Sequence, residues 1–172
     1  MKIAVIGYSG AGKSTLAKRL SKLYSCSLLY LDTVNFEEGW QERDREEGRA
    51  IVEEFMKNES WVIDGNYVDF YQERRLKEAD KIIFMNFPRR ICFIQAFKRY
   101  FAMRNKTRES MTIGCNEKFD FEFAKWILIE GRSKKYQDRY KAICTRYKNK
   151  VSICKNRKDV EALILSLEDK NK

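Results

Sequence analysis

Five short runs with apolar centres punctuate the chain, at residues 2–6, 27–31, 61–63, 81–86 and 151–154. The first, Lys2-Ile3-Ala4-Val5-Ile6, is of the kind a buried parallel strand needs, and the others read as further strands. Between them the apolar spacing changes to three and four. Leu16, Ala17, Leu20, Leu23 and Tyr24 follow the first run, and Ile51, Val52, Phe55 and Met56 fall in a helix predicted over 45–56. Ile91, Ile94, Phe97 and Phe101 share one face of a helix over 89–103, and Val160, Leu163, Ile164 and Leu167 mark a last helix from residue 158. Alternation of this kind predicts an α/β fold built on a parallel sheet. Asn156 and Asp159 read as the N-cap and first-turn acid of the last helix. Pro88, the single proline, suits the N1 position of the helix over 89–103.

The interval between the fourth and fifth runs, residues 87–150, is abnormally long. Beyond the helix over 89–103 it holds a helical stretch over 119–129 and a further helix carrying Tyr136, Tyr140, Ile143 and Tyr147. An excursion of that length between two core strands predicts a lid, over residues 98–147, above an active site. The chain, residues 1–172, is expected to form one domain.

The connection after the first run changes the picture from fold to chemistry. Gly7-Tyr8-Ser9-Gly10-Ala11-Gly12-Lys13-Ser14-Thr15 spells G-x-x-x-x-G-K-S-T, placed between a predicted strand and a predicted helix. The glycines let backbone N–H groups close around a polyphosphate, and the helix N-terminus adds partial positive charge. Gly7, Ser9, Gly10, Ala11, Gly12, Lys13, Ser14 and Thr15 are therefore the expected nucleotide-binding residues. Lys13 is placed to reach the β- and γ-phosphates and the Ser14 hydroxyl to ligate Mg²⁺.

Composition narrows the choices. The hydrophobic content of 44% is that of a globular chain, and no apolar stretch approaches the roughly 20 residues of a membrane span. The glycine-rich loop interrupts any signal-like apolar start. Five cysteines, odd in number and widely spaced, predict reduced thiols and a cytoplasmic location. The chain has no histidine, which excludes Ser-His and Cys-His nucleophile mechanisms. Carboxylates, cations and metal are left to do the chemistry. The first 97 residues hold 15 Lys/Arg against 15 Asp/Glu, and residues 98–172 hold 20 against 10, so the whole net charge of +10 lies in the second half. A basic half points to anionic ligands, small phosphates or nucleic acid.

Two apolar runs end in aspartate, at Asp32 and at Asp64-Gly65-Asn66. Acids at the carboxyl ends of parallel strands lie where α/β sheets bind ligands. One is expected in the Mg²⁺ shell and the other beside the acceptor hydroxyl, and the pattern leaves open which does which. Phe36, Trp40, Arg43 and Asn66 fall where an acceptor would dock. Arg99, Arg104, Arg108, Arg132 and Arg139 are the cations a lid could bring to a transferring phosphoryl group, gripping its oxygens in pairs.

The block K-I-A-V-I-G-Y-S-G-A-G-K-S-T-L-A resembles the adenylate-kinase-like proteins called DNA topology modulation proteins. So do L-Y-L-D-T at 29–33, W-V-I-D-G-N-Y at 61–67, the F-K-R-Y…R-N-K-T-R stretch at 97–108, G-R-S-K-K-Y-Q-D-R-Y at 131–140 and K-N-R-K at 155–158. The resemblance implies a P-loop NTPase fold of the nucleoside-monophosphate-kinase type, strand order 2-3-1-4-5, a mobile lid and ATP as donor. It implies that Asp64 acts near Mg²⁺, that Asp32 corresponds to the first aspartate of the D-x-D of shikimate and gluconate kinases, and that Asn156 and Arg157 contact the adenine base. Two departures leave the acceptor open. Asn66-Tyr67-Val68 replaces the F-P-R of adenylate kinases, and Val34 stands where the second acid of D-x-D would be. The expected activity is an ATP- and Mg²⁺-dependent kinase acting on a small-molecule acceptor, catalysed by Lys13, Asp32, Asp64, Arg99, Arg104 and Arg132. The alternative is an ATP-binding regulatory protein whose basic half contacts nucleic acid. No N-K-x-D or D-x-x-G supports a GTPase, and monomer and homodimer both stay open.

Overall fold

The computed structural model describes residues 1–104 and 106–169; Asn105 of the R-N-K-T-R block and residues 170–172 of the expected domain lie outside them. Strand β1 (Lys2–Gly7) runs through the glycine-rich loop into helix α1 (Lys13–Leu23). Strand β2 (Ser27–Tyr30) passes without a break into the short helix α2 (Leu31–Asn35), and a 3-10 turn at Glu38–Trp40 precedes α3 (Arg45–Phe55). Then follow β3 (Trp61–Asp64), α4 (Gln72–Glu78) and β4 (Lys81–Met85). The long connection holds α5 (Arg89–Met103), α6 (Phe121–Leu128), a 3-10 turn at Glu130–Arg132 and α7 (Lys134–Arg146). Strand β5 (Val151–Cys154) and helix α8 (Arg157–Glu168) complete the chain.

All five strands are parallel, in the order 2-3-1-4-5. β1 is the centre, with Ile3 opposite Val62 on one side and Lys81 on the other. Ile3 through Ile6 are fully buried, as an unbroken apolar run covered on both faces should be. Each of its large side chains contributes about 1.5–3 kcal/mol by leaving water. This architecture puts the carboxyl ends of β1, β2 and β3, with Gly7, Asp32 and Asp64, along one edge of the sheet.

Three sequence expectations are corrected. Asp32 does not end a strand but lies in the first turn of α2, and α4 had no counterpart in the pattern because its seven residues are too few for a period. Pro88 is the N-cap of α5 rather than N1. The helix over 89–103 is present, but the face that packs inward is not the predicted one. Ile91, Ile94, Phe97 and Phe101 are 43–59% exposed while Cys92 and Ala96 are fully buried. The reason is distance: α5 lies so close to the glycine-rich loop that a Cβ on Gly10 would meet the Cys92 carbonyl oxygen at 2.3 Å. Only small side chains fit such a contact, and the aromatics form an outer ladder instead, Phe97 packing on Phe93, Phe101 and Phe119. Asn156 caps α8 as expected, its side-chain oxygen accepting from the Asp159 amide at 3.0 Å.

Candidate phosphate-binding and acid site

The loop after β1 owes its path to glycine at two points. Gly7, at φ +138°, passes so near β4 that a Cβ would lie 2.5 Å from the Met85 carbonyl oxygen, and Gly10, at φ +79°, abuts α5 as described. Helix α1 then starts at Lys13 with no side-chain cap and no acid in its first turn. Its leading N–H groups therefore stay available to an anion. Asn66 braces the loop from β3: the Gly7 amide donates to its Oδ1 at 2.9 Å and its Nδ2 donates to the Gly7 carbonyl at 2.7 Å. Lys13 Nζ donates to the Tyr8 carbonyl at 3.3 Å, which holds the ammonium over the loop.

Beneath it sits a buried acid. The Ser14 hydroxyl donates to Asp64 Oδ2 at 2.7 Å, and Asp64 Oδ1 is buried with no hydrogen-bond partner among the described residues. Burial pushes the Asp64 carboxyl up from 3.8 to about 6; Lys13 pulls it back, and nearby Asp32 pushes it further up. An orphaned carboxylate oxygen beside a serine hydroxyl is a donor set that suits a hard cation such as Mg²⁺. Asp32 is oriented differently, its Oδ1 accepting from the Tyr67 hydroxyl at 2.9 Å. Burial, reinforced by Asp32, holds the Tyr67 phenol well above its ordinary range, so it remains a donor to that carboxylate.

Two cavities, of 620 and 970 Å³, meet at Lys13, Ser14 and Asp32. The smaller is bounded by the loop after β3 and by α7, with Asp69, Arg132, Tyr136 and Arg139 on its walls. The loop is shaped by Arg75 of α4, fully buried, which donates to the carbonyls of Phe70 at 2.7 Å, Tyr67 at 2.6 Å and Gly65 at 3.4 Å. Arg132 lies 3.3 Å above the Tyr8 ring and donates to the Phe87 carbonyl at 2.8 Å. The larger cavity follows the other side of the glycine-rich loop, past Gly10, Gly12 and Thr15 to Arg157, and is faced by Phe36, Trp40, Arg99 and Arg108. Trp126 borders both and donates through Nε1 to the Ser9 hydroxyl at 3.2 Å.

Most of the sequence-derived candidates thus converge, and four depart. Arg43 lies outside both cavities: its Nε donates to the Val34 carbonyl at 3.0 Å and its head pairs with Glu37 and Glu47. Arg104 is exposed where α5 ends, bridging in strand fashion to Glu117, and itself borders neither cavity. Asn66 borders the smaller cavity, yet its amide is committed to Gly7 rather than turned to a ligand. The side-chain oxygen of Asn156 is likewise committed, to the α8 cap, and only its neighbour Arg157 borders a cavity. Ala11 is buried under the loop and borders neither cavity. Tyr67, Arg75, Glu117 and Trp126 were missed. Tyr67 was readable in principle, three residues past Asp64 in a polar turn; nothing in the pattern marks the other three.

No family model and no curated protein matches the chain. Its likeness is to solved structures. That of deoxyadenosine kinase from M. mycoides with bound dATP superposes with a TM-score of 0.54 at 16% identity, covering 97% of this chain and 99% of that one. The same enzyme with bound dCTP gives 0.53 at 16% identity over 98% and 100%. The fold is that of the P-loop kinases. Within that fold the glycine-rich loop is the P-loop, and the sheet edge that carries Asp32 and Asp64 lies beside it, as the topology requires.

Proposed function

We propose that this chain is a P-loop phosphotransferase, taking Mg·ATP as donor and passing its γ-phosphoryl group to a small hydroxyl-bearing acceptor. The observation that carries the reading is the 2.7 Å Ser14–Asp64 contact beneath Lys13, with a second carboxylate, Asp32, opening on the same cavities. Phosphoryl transfer asks for that set: oxygen ligands for a hard cation, an ammonium at the transferred group, and a carboxylate able to orient a hydroxyl. The larger cavity, with Gly10, Gly12, Thr15 and Arg157, suits the donor and the smaller suits the acceptor, an assignment that leaves Phe36 and Trp40 on the donor side rather than at the acceptor. Bound Mg²⁺ supplies charge neutralisation at the phosphate oxygens; Ser14 and Asp64 are the residues that would hold it. Asp32, fixed through Oδ1 by Tyr67, keeps Oδ2 to accept the acceptor's proton. Arg132 and Arg139 face the space where charge develops. Residues 98–147 act as the lid, excluding the water that would otherwise compete for the phosphoryl group.

Nucleosides lead the acceptor panel because the M. mycoides enzyme is a deoxyadenosine kinase. The blocks around Trp61–Asp64 and Phe97 further group the chain, on this reading, with the adenylate-kinase-like DNA topology modulation proteins. The test is ADP release from Mg·ATP across nucleosides, nucleoside monophosphates, sugars and sugar acids, with Lys13→Ala as blank. A rate that rises with one acceptor class and falls by about 100-fold or more in Lys13→Ala is expected. Slow hydrolysis indifferent to every acceptor but stimulated by DNA overturns it.

A further inference from the structure

Two arginines of the larger cavity share one buried carboxylate. Arg99, on α5, directs both Nε and Nη2 at Glu117 Oε1, each at 2.8 Å. Arg108 sets its Nε against Glu117 Oε2 and donates through Nη1 to the Ser110 hydroxyl at 3.2 Å. The Glu117 side chain is 2% exposed, and all three residues border the cavity. One carboxylate between two guanidinium groups leaves a net positive charge. It also leaves Nη1 of Arg99 and Nη2 of Arg108 without protein partners among the described residues.

Glu117 is itself pinned. Its amide donates to the Lys106 carbonyl at 3.1 Å, and its preceding residue's carbonyl accepts from Trp40 Nε1 at 3.2 Å. Thr112 and Cys115, in the same segment, donate to the carbonyls of Thr33 and Glu37 at 3.3 and 3.0 Å. The acid is therefore referenced both to α5 and to the turn after α2, which carries Asp32. Burial holds the Arg99 guanidinium below its ordinary range, the neighbouring Arg108 lowers it further, and Glu117 and Asp32 oppose the shift. A buried carboxylate with two cations costs desolvation that an apolar contact would avoid. The arrangement instead fixes two planar forks in one orientation at the mouth of the phosphate loop.

We propose that Glu117 is a positioning residue, whose carboxylate locks Arg99 and Arg108 into a paired guanidinium clamp for the oxygens of the transferred phosphoryl group. The inference rests on the phosphotransferase reading above. Glu117 touches no reacting atom; it acts through the two arginines.

The experiment compares steady-state kinetics, with Mg·ATP and the acceptor found active, for wild type, Glu117→Gln, Glu117→Asp, Arg99→Ala/Arg108→Ala and the triple variant. Glu117→Gln should lower kcat by about tenfold or more while ATP KM stays within about threefold, the split expected when a transition-state contact is lost. Glu117→Asp should recover part of the loss. In the arginine-free background, Glu117→Gln should change kcat no further, because residues acting as one unit are not additive. The double and triple variants decide the matter if Glu117→Gln fails to fold, since the triple variant removes the buried acid together with its partners. An unchanged kcat in a folded Glu117→Gln, or a further loss of the same size in the arginine-free background, overturns the clamp alone. A wild-type rate no higher than that of Lys13→Ala overturns the phosphotransferase reading, and the clamp with it.

Discussion

Burial at Asp64 has a consequence for stability as well as for chemistry. Its carboxyl, ordinarily near 3.8, is raised to about 6 in the folded chain, so between those values the folded state keeps a proton that the unfolded chain has released. The contribution of Asp64 to stability therefore falls as pH rises through that window and levels off above it. A shift of two units corresponds to up to about 3 kcal/mol. Asp64→Asn should remove the slope, raise the Tm of the metal-free protein at pH 7.5, and abolish Mg²⁺-dependent ATP affinity. Thermal melts at pH 4.5 and 7.5 with a metal titration check this; a variant keeping both slope and metal response transfers the role to Asp32. Asn66→Ala should cost about 1–3 kcal/mol by stranding the Gly7 amide and carbonyl, and should weaken ATP binding through the loop that Asn66 braces. Urea melts and nucleotide titration measure the two effects. Ser14 and Asp64 were legible because a spaced motif and a strand end each mark a position in three dimensions. Asn66 was half legible: its place beside the site follows from the turn, but a short amide has several neighbours and only coordinates show that it chose the backbone of Gly7. Glu117 was not legible at all, being one acid in a basic stretch whose partners are 9 and 18 residues away.

Among the elements, α5 shows where periodicity misleads. Its bounds could be read from the pattern, yet the pattern weighted bulk, and the inner contact is a close approach of backbone to backbone that admits only Cys92 and Ala96. Apolar side chains on the outer side packed on one another and on Phe119 give the same period as a core face. Ala96→Leu should thus destabilise by about 1–3 kcal/mol through overpacking, whereas Phe101→Ser should stay within about 0.5 kcal/mol of wild type. Denaturant midpoints at constant m-value decide it, and the reverse ranking would show the predicted face to be the structural one. The segment from Lys106 to Glu117 falls within the lid that length and charge predict over residues 98–147. Its pegs to the turn after α2 come from Thr112, Cys115 and the close pass of Gly114, whose Cβ would meet Glu38 Cγ at 2.4 Å. Such contacts join residues some 75 positions apart and have no periodic signature.

For the whole molecule, the strand order 2-3-1-4-5 arranges everything else, with the P-loop on the central strand and the long connection folding back over it. Proteolytic nicking within residues 104–135 should slow when Mg·ATP and acceptor are both present, beyond the protection either gives alone. Equal rates throughout would make that region a static subdomain. Among the described residues no helix is long and apolar enough to cross a membrane. The sheet could be foreseen because its parallel strands announce themselves as short apolar runs, buried in β1, β3 and β4 and partly exposed in the edge strands β2 and β5, and its order came from resemblance, since nothing local encodes which strand lies beside which. That order also sets a timetable for synthesis. The middle strand precedes both of its neighbours in the chain, and neither exists until residues 61–64 and 81–85 have followed. At about 5–20 residues per second the ribosome leaves β1, with its apolar run Ile3–Ile6, unpaired for several seconds. During that time the glycine-rich loop has no sheet to hang from, and its path is set only when β3 and β4 arrive.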